Sequence, residues 1–570
     1  MVCSMREQRD GTRGASDLSP SNRWPALPPW LAGTLVWAVG ATWYFRDAFV
    51  SGFDTITGDR GDARLVIYLH EHWWRVWHGD AAWRSPGIFA PIRGTLGYAD
   101  TFALHQIVYV PLRLIGLDQF VAFQLTLVAL TAVGFASLFT LLLRYLHLPL
   151  APTCLLATAG VFANNVYVDT GHPQLYSVNV VALVVLVFVA SWCATSTRRR
   201  VVGSAAGGLL VGLLTWSTFY LGWFTVCFGA GGLVVALLIA TATDGVSAVV
   251  DGVRSRVAML TAAVAGLAVG AVPFAATYLP VLGDSEPRTY DEVANLAPRP
   301  LDLLNVGRHN VLWGRVVGPL LGGNERLDLL HRAVAPTPIL LITAGVATYG
   351  LLRSARREPV RTGLVTAGLA ICATTWVALL LPIQFPIGGL WAWVHRFVPG
   401  GDALRVYARA EVIASLLAVL AVSCWLSARS RAQEPEIAGR RSRTEVVLLA
   451  VLAVIVVEQA NTARAFRRFD RSDELVLLAK ASNPPDRCES FYVTDVDRVQ
   501  TDLSLITAML VAHRVDRPTL NGYSGQKPPG WDLAPWLDDY DTEVADWIAT
   551  HGLVGVCSLE LTTLEWTQPP

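Results

Sequence analysis

The seventeen residues GDRGDARLVIYLHEHWW, 58–74, hold two Asp, one Glu and two His in a chain otherwise dominated by apolar side chains. Neighbouring carboxylates can take a proton from a hydroxyl. They can also share a hard divalent cation. His70 and His72 stand two apart, so they fall on different faces of a helix. HEHWW is therefore not the H-E-x-x-H of a zinc protease, whose second His falls four residues on. The spacing predicts a helix over 63–78, with Leu65, Leu69, Trp73 and Val76 at helical intervals. Asp62 then has an ordinary role as N-cap, and Glu71 as the i,i+4 partner of Arg75. Asp59, between Gly58 and Gly61, has no such role. It is the first candidate for a general base, with Asp62 as its partner or a metal ligand.

The elements that must position these acids are membrane spans. The chain has 570 residues, 53% of them hydrophobic and 16% charged, and its mean hydropathy is +0.43. Soluble domains carry about a quarter charged residues. Zero formal net charge supplies no field for nucleic acid. Apolar runs recur at 27–45, 119–145, 149–166, 175–195, 201–217, 219–242, 257–281, 336–352, 362–382, 407–428 and 445–460, which predicts a mainly α polytopic membrane protein with about eleven spans. Run 27–45 lacks a small-x-small cleavage site and reads as an uncleaved first span behind a tail, 1–26, that carries Arg6, Arg9, Arg13 and Arg23.

Cytoplasmic flanks are rich in Arg and Lys. Arg198, Arg199, Arg200, Arg254, Arg256, Arg353, Arg356, Arg357, Arg361, Arg429, Arg431, Arg440, Arg441 and Arg443 all fall on the side of the N-terminus. Segments 46–118, 282–335, 383–406 and 461–570 then lie outside. Residues 27–460 form the membrane domain and 461–570 a small α/β extracytoplasmic domain. That domain reads as helix 472–482, strand 490–494, helix 501–514, a turn-rich TLNGYSGQKPPGW (519–531), helix 541–551 and strand 553–558, with Gly552 ending the last helix. Outside, Cys488 and Cys557 are able to pair. Cys154, Cys193, Cys227, Cys372 and Cys424 lie in apolar runs as small hydrophobes, and Cys3 has no assigned role. Trp73, Trp74, Trp77, Trp83, Tyr98, Trp313, Trp391 and Trp393 read as an interfacial belt, or as surfaces for sugar or lipid.

A second short helix is expected over 101–115, capped by Asp100 and too short to span. The first outer loop, 46–118, is thus read as two interfacial helices with acids at their starts. Loop 282–335, with Arg288, Tyr290, Asp291, Glu292 and Glu325, is too long for a mere connector, but no residue in it is assigned a role. Asp169, Glu411 and Glu458 fall near span ends, not at mid-membrane. An ion-coupled carrier needs ionisable groups within the bilayer. Charges gathered at the outer interface favour an enzyme working there.

GDRGDARLVIYLHEHWW, GTLGYADTF (94–102), DTGHPQLYSVN (169–179), LRVYAR (404–409) and NGYSG (521–525), set in this layout, resemble bacterial members of the GT-C superfamily of integral membrane glycosyltransferases. The resemblance implies a polyprenyl-phosphate sugar as donor, a cell-envelope acceptor (glycan, lipid or protein) and a catalytic acid in the first outer loop. There the family often has paired acids or D-x-D, where this chain has D-x-x-D, which leaves open whether Asp59 or Asp62 is the base and whether Mg or Mn joins them. On this reading Glu71, His72 and Asp100 support the site. Arg405 and Arg409, four apart and so on one helix face, grip the donor phosphate, although snorkelling is an ordinary role for either. His172 and Gln174 contact the sugar or acceptor. The competing readings are a transporter or flippase of a lipid-linked envelope precursor, and a non-catalytic assembly protein acting through 461–570.

Overall fold

Long runs of apolar residues give the long helices of this chain, and Val257–Tyr278 continues through Pro273. The computed structural model describes residues 27–169, 171–284, 288–320, 335–357, 363–432, 443–463, 469–494 and 501–567. The tail 1–26 with Cys3, and Glu325, Arg361, Arg440 and Arg441, lie outside them. The membrane part contains α1 (Pro29–Tyr44), α2 (Asp62–His78), α3 (Gln106–Leu114), α4 (Gln119–Thr140), α5 (Leu150–Val161), α6 (Val178–Cys193), α7 (Thr197–Ser217), α8 (Phe219–Asp244), α9 (Val257–Tyr278), α10 (Pro338–Arg357), α11 (Gly363–Leu380), α12 (Ala410–Ala432) and α13 (Arg443–Glu458). The C-terminal region contains α14 (Arg471–Lys480), β1 (Ser490–Thr494), α15 (Thr501–Val515), α16 (Tyr540–His551), β2 (Val556–Glu560) and β3 (Glu565–Thr567).

The protein is a mainly helical, polytopic membrane protein. Among the described residues 8 helices are long and apolar enough to cross a membrane: α4, α6, α7, α8, α9, α10, α11 and α12 with their flanking turns. The other three runs read as spans form shorter helices. α1 and α13 have 16 residues each and α5 has 12. At ~1.5 Å per residue these fall short of the ~30 Å hydrocarbon core. α1 ends where Phe45 leaves helical geometry, and α5 ends at Phe162, which does the same.

Close helix contact is made by glycine. α7 and α9 meet through Gly208, Gly212, Gly266 and Gly270, and a Cβ on Gly208 would lie 1.9 Å from the Ala263 carbonyl oxygen. Paired small-xxx-small faces are how spans approach backbone to backbone in lipid. At the end of α13, Glu458 is fully buried. It accepts from Thr337 Oγ1 (2.5 Å), Leu340 N (2.7 Å), Ile339 N (3.0 Å) and Trp313 Nε1 (3.0 Å). A carboxylate there satisfies the free N–H groups that open α10.

β2 is the centre of a three-stranded sheet, parallel to β1 and antiparallel to β3. The third strand adds to the two legible in the sequence. Cys488 and Cys557 form a disulfide beside the β1–β2 ladder, and Gly552 ends α16 in the left-handed conformation. Ile506, Met509 and Val511 of α15 pack with Phe491, Val493 and Leu559 of the sheet, all fully buried.

α2 is buried from Ala63 to Trp73 except at Leu65. It does not lie flat on lipid: α15 covers one side and the membrane helices the other. Arg64 donates to Glu474 (3.1 Å) and Thr507 (3.0 Å), and Tyr68 stacks on His513 at 3.9 Å. The belt of Trp residues divides accordingly. Trp77 and Trp393 are exposed, but Trp73 and Trp391 are buried. The helix expected over 101–115 begins late, because Phe102 adopts φ 53° and Ala103–His105 is a 3-10 turn. α3 leaves Ile107, Leu114 and Ile115 exposed, the apolar face of a helix at a membrane surface.

Candidate active site

The loop before α2 is pinned from a span. Gln124 of α4, fully buried, donates to the Phe53 carbonyl (3.0 Å) and accepts from Thr57 N (3.3 Å). The chain then turns at Gly58 (φ 130°) and delivers Asp59 and Asp62. Their structural roles are the reverse of those the sequence suggests. Asp59, not Asp62, serves the helix start, its Oδ1 accepting from Ala63 N at 3.4 Å. Asp62 is the first helical residue behind an N-cap at Gly61, and no side-chain cap bond forms. Its Oδ2 instead bonds His172 Nδ1 at 2.5 Å. The other His172 nitrogen lies 3.6 Å from Asp169 Oδ1. Asp59 reaches the same loop: a Cβ on Gly171 would lie 2.9 Å from Asp59 Oδ2. Glycine at 171 therefore lets the two segments touch.

This crowding sets the acid–base properties. Burial, then the charge of Asp62, raises the Asp59 carboxyl above the ordinary range, against His172 and the Ala63 and Gly61 N–H groups. At His172, burial and Arg409 work against the proton, but Asp169 and Asp62 outweigh them and its basicity is raised. Asp169 Oδ2 is buried with no hydrogen-bond partner among the described residues.

Asp100 does not cap the helix that follows it. Thr101 Oγ1 donates to the Trp216 carbonyl (2.6 Å) and Phe102 N to that of Ser217 (2.8 Å). This holds Asp100 at the start of α8, where it accepts from Phe219 N (2.8 Å). Burial pushes it up to about 6, with the Phe219 N–H and Arg409 opposing and Asp62 adding.

Arg405 and Arg409 do not share a helix face. Tyr407–Arg409 is a 3-10 turn and α12 begins only at Ala410. Tyr220 ties them together instead. Its hydroxyl accepts from Arg405 N (2.8 Å) and Val406 N (3.2 Å), and its ring lies 5.1 Å from the Arg409 guanidinium. Arg405 is exposed. Arg409 is buried, and its Nε has no partner among the described residues.

Glu71 and His72 stand apart from this group, roughly 14–15 Å along α2 from Asp62 by helical rise. Glu71 bonds Arg113 (3.1 Å) and Tyr109 (3.2 Å), while Arg75 pairs with Asp516. Burial raises Glu71 against the pull of Arg113. His72 bonds the Trp83 carbonyl at 2.9 Å, and burial lowers it to about 4. Gln174 is buried in the 3-10 turn Pro173–Ser177 that follows His172.

Asp169, Tyr220 and Tyr523 also belong to the site. Tyr523 comes from the C-terminal region, and Asp62, Asp502, Asp59 and Arg405 act on its hydroxyl. The DTGHPQLYSVN and NGYSG stretches contain Asp169 and Tyr523, but neither residue was singled out, and nothing near Tyr220 marks it. No group of three or more His, Cys, Asp or Glu among the described residues is arranged to hold a metal.

No family model and no curated protein matches the sequence. Three solved structures are similar in layout. Arabinofuranosyltransferase AftD from mycobacteria is 16% identical, with TM-score 0.47, over 82% of this chain and 29% of that one. Oligosaccharyltransferase AglB from Archaeoglobus fulgidus, in complex with an inhibitory peptide and a dolichol-phosphate, is 13% identical, with TM-score 0.48, over 86% of this chain and 64% of that one. ArnT from Cupriavidus metallidurans, bound to undecaprenyl phosphate, is 13% identical, with TM-score 0.35, over 86% of this chain and 84% of that one. The chain spans less than two thirds of the length of the first two.

Proposed function

We propose that this protein is an integral membrane glycosyltransferase. It transfers a sugar from a polyprenyl-phosphate donor to a cell-envelope acceptor on the outer face of the plasma membrane, its N-terminus cytoplasmic and its C-terminal region outside. One observation carries the reading: the coupled carboxylates Asp59 and Asp62 gather with His172, Asp100 and the buried, incompletely partnered Arg409 on loops at one end of the spans. Transfer from a lipid phosphate needs both signs of charge at headgroup depth.

Asp59 takes the proton of the acceptor hydroxyl, and its raised basicity favours that transfer. The acceptor oxygen forms its bond to the sugar's anomeric carbon as the carbon–oxygen bond to phosphate breaks, and the electron pair leaves with the phosphate. Arg409 and Arg405 stabilise that charge. Asp62, held by His172, orients the acceptor beside Asp59. His172 and Gln174 line the sugar or acceptor path. Two carboxylates without a third protein ligand fit Mg or Mn, which keeps several waters and binds through one or two carboxylates plus substrate phosphate. Such an ion, held by Asp62 and the substrate phosphate, would screen the leaving charge and leave Asp59 free as the base.

The test uses membranes containing the full chain and a polyprenyl-phosphate sugar pool labelled from [14C]glucose. Asp59→Asn and Asp62→Asn should each lower transfer into envelope glycan by about 100-fold or more. Full transfer by both variants overturns the reading. Loss of transfer in EDTA, restored by Mg or Mn, supports the cation, and transfer indifferent to EDTA removes it.

A further inference from the structure

Besides α14 and α15, which pack on α2, the C-terminal region meets the membrane part through one loop whose contacts are those of a placed wall. Residues 519–526 start beside β1, where Leu520 N donates to the Phe491 carbonyl (2.8 Å). Asn521 is fully buried. Its Oδ1 accepts from Val493 N (2.8 Å) and its Nδ2 donates to the Tyr540 hydroxyl (3.0 Å). On the other side the loop grips the membrane part. Ala90 N donates to the Thr519 carbonyl (3.0 Å), Gln526 N to that of Tyr98 (3.2 Å), and Arg288 Nη2 to that of Gly525 (2.8 Å). At Gly522 the fit excludes any side chain, since a Cβ would lie 2.5 Å from the Phe89 ring. Between these anchors stands Tyr523, its N–H directed at Met509 Sδ (3.2 Å).

We propose that Tyr523 is a substrate-positioning residue whose phenol holds the transferred sugar between the Asp59–Asp62 pair and the Arg405–Arg409 pair, so that the C-terminal region forms one wall of the sugar subsite. This rests on the glycosyltransferase reading above. The surroundings favour a sugar over the phosphate. Met509, which Tyr523 N faces, lies on α15 two residues from Thr507, the partner of Arg64 in the first turn of α2, and Arg288 donates both to Gly525 and to the Ala403 carbonyl (3.0 Å), two residues from Arg405. After burial itself, Asp62, Asp502 and Asp59 act on the phenol, with Arg405 opposing, a setting that suits a neutral group. A neutral, hydroxyl-rich ring accepts from a phenol and donates to carboxylates. The flat apolar face of the aromatic ring suits the C–H face of a sugar.

Tyr523→Phe removes the hydroxyl and keeps the ring. In the labelled-membrane assay it should transfer about tenfold more slowly, the loss expected for one hydrogen bond. Tyr523→Ala should fall further. Both variants, purified as full chains, should bind undecaprenyl phosphate within about twofold of the unsubstituted protein, since carrier phosphate is not what Tyr523 holds. Transfer by Tyr523→Phe at the unsubstituted rate overturns the proposal. So does a tenfold loss of undecaprenyl phosphate affinity matching the loss of transfer, which would make Tyr523 a phosphate ligand. The Asp59 and Asp62 variants separate the two readings. If they abolish transfer while Tyr523→Phe is unaffected, this inference alone falls.

Discussion

At the scale of single residues, three charged groups set each other's protonation. Asp62 raises Asp59 while His172 lowers it. A base must be ionised to work, so the acid limb of the rate profile lies above that of an ordinary aspartate. Replacing His172 removes a lowering influence. His172→Asn should therefore move the acid limb of kcat/KM for label transfer to higher pH, and a limb that stays or moves down contradicts the assignment of Asp59. The same histidine carries a stability signature. Its folded-state basicity is raised, so its contribution is present below the unfolded pKa and is lost as pH rises through the folded value. Residue types and spacing brought Asp59 and Asp62 forward, and the resemblance added Asp100, His172 and the two arginines. Which Asp serves the backbone was not legible, because Gly61 rather than an acid takes the N-cap and Gly171 admits Asp59 from a distant loop. Tyr220 was invisible for a similar reason: it acts on Arg405 and Arg409 from 185 residues away in sequence from the first of them.

Among elements, α2 bears most on the site, since its first turn carries the acids. Its sequence reads as amphipathic, yet nearly every face is covered. Helical periodicity reports one apolar stripe. It does not report polar side chains whose partners lie far along the chain, and Arg64, Glu71 and His72 are of that kind. Their ion pairs differ in weight. Arg64 and Glu474 have side chains 4% and 10% exposed, so Arg64→Ala strands a buried carboxylate at a cost of about 3 kcal/mol. Arg75→Ala should cost under about 1 kcal/mol, because its partner Asp516 is 75% exposed and solvent screens the pair. Thermal unfolding followed by a thiol-reactive dye on the buried Cys154, Cys372 and Cys424 measures both. Equal shifts in the two midpoints would show that α14 does not hold α2 through the Arg64–Glu474 pair. The long spans were legible from hydropathy alone. α1, α5 and α13 were over-read, because an apolar run continues through the bends at Phe45 and Phe162 where the helices stop.

For the whole molecule, the proposed orientation has a simple chemical handle. Lys480 and Lys527 are the only lysines in the sequence, and both are exposed in the C-terminal region. A membrane-impermeant amine reagent applied to intact cells should therefore label the protein through these two residues, and Lys480→Arg with Lys527→Arg should abolish the signal. Labelling that requires permeabilised cells would place the C-terminal region inside and overturn the topology. The basic loops argue for the outside.

The bond from Arg64 to Glu474 joins residues 410 apart. At about 5–20 residues per second of synthesis, Arg64 waits roughly 20–80 s for the carboxylate that will neutralise it. For that interval α2 has no cover from α15, and the loop that carries Asp59 lies open to water. The nascent protein thus passes most of its synthesis as a set of inserted helices without a working centre. Only when the last fifth of the chain has been made and has folded do the acids acquire their surroundings, so a truncated or stalled chain lacks the assembled site.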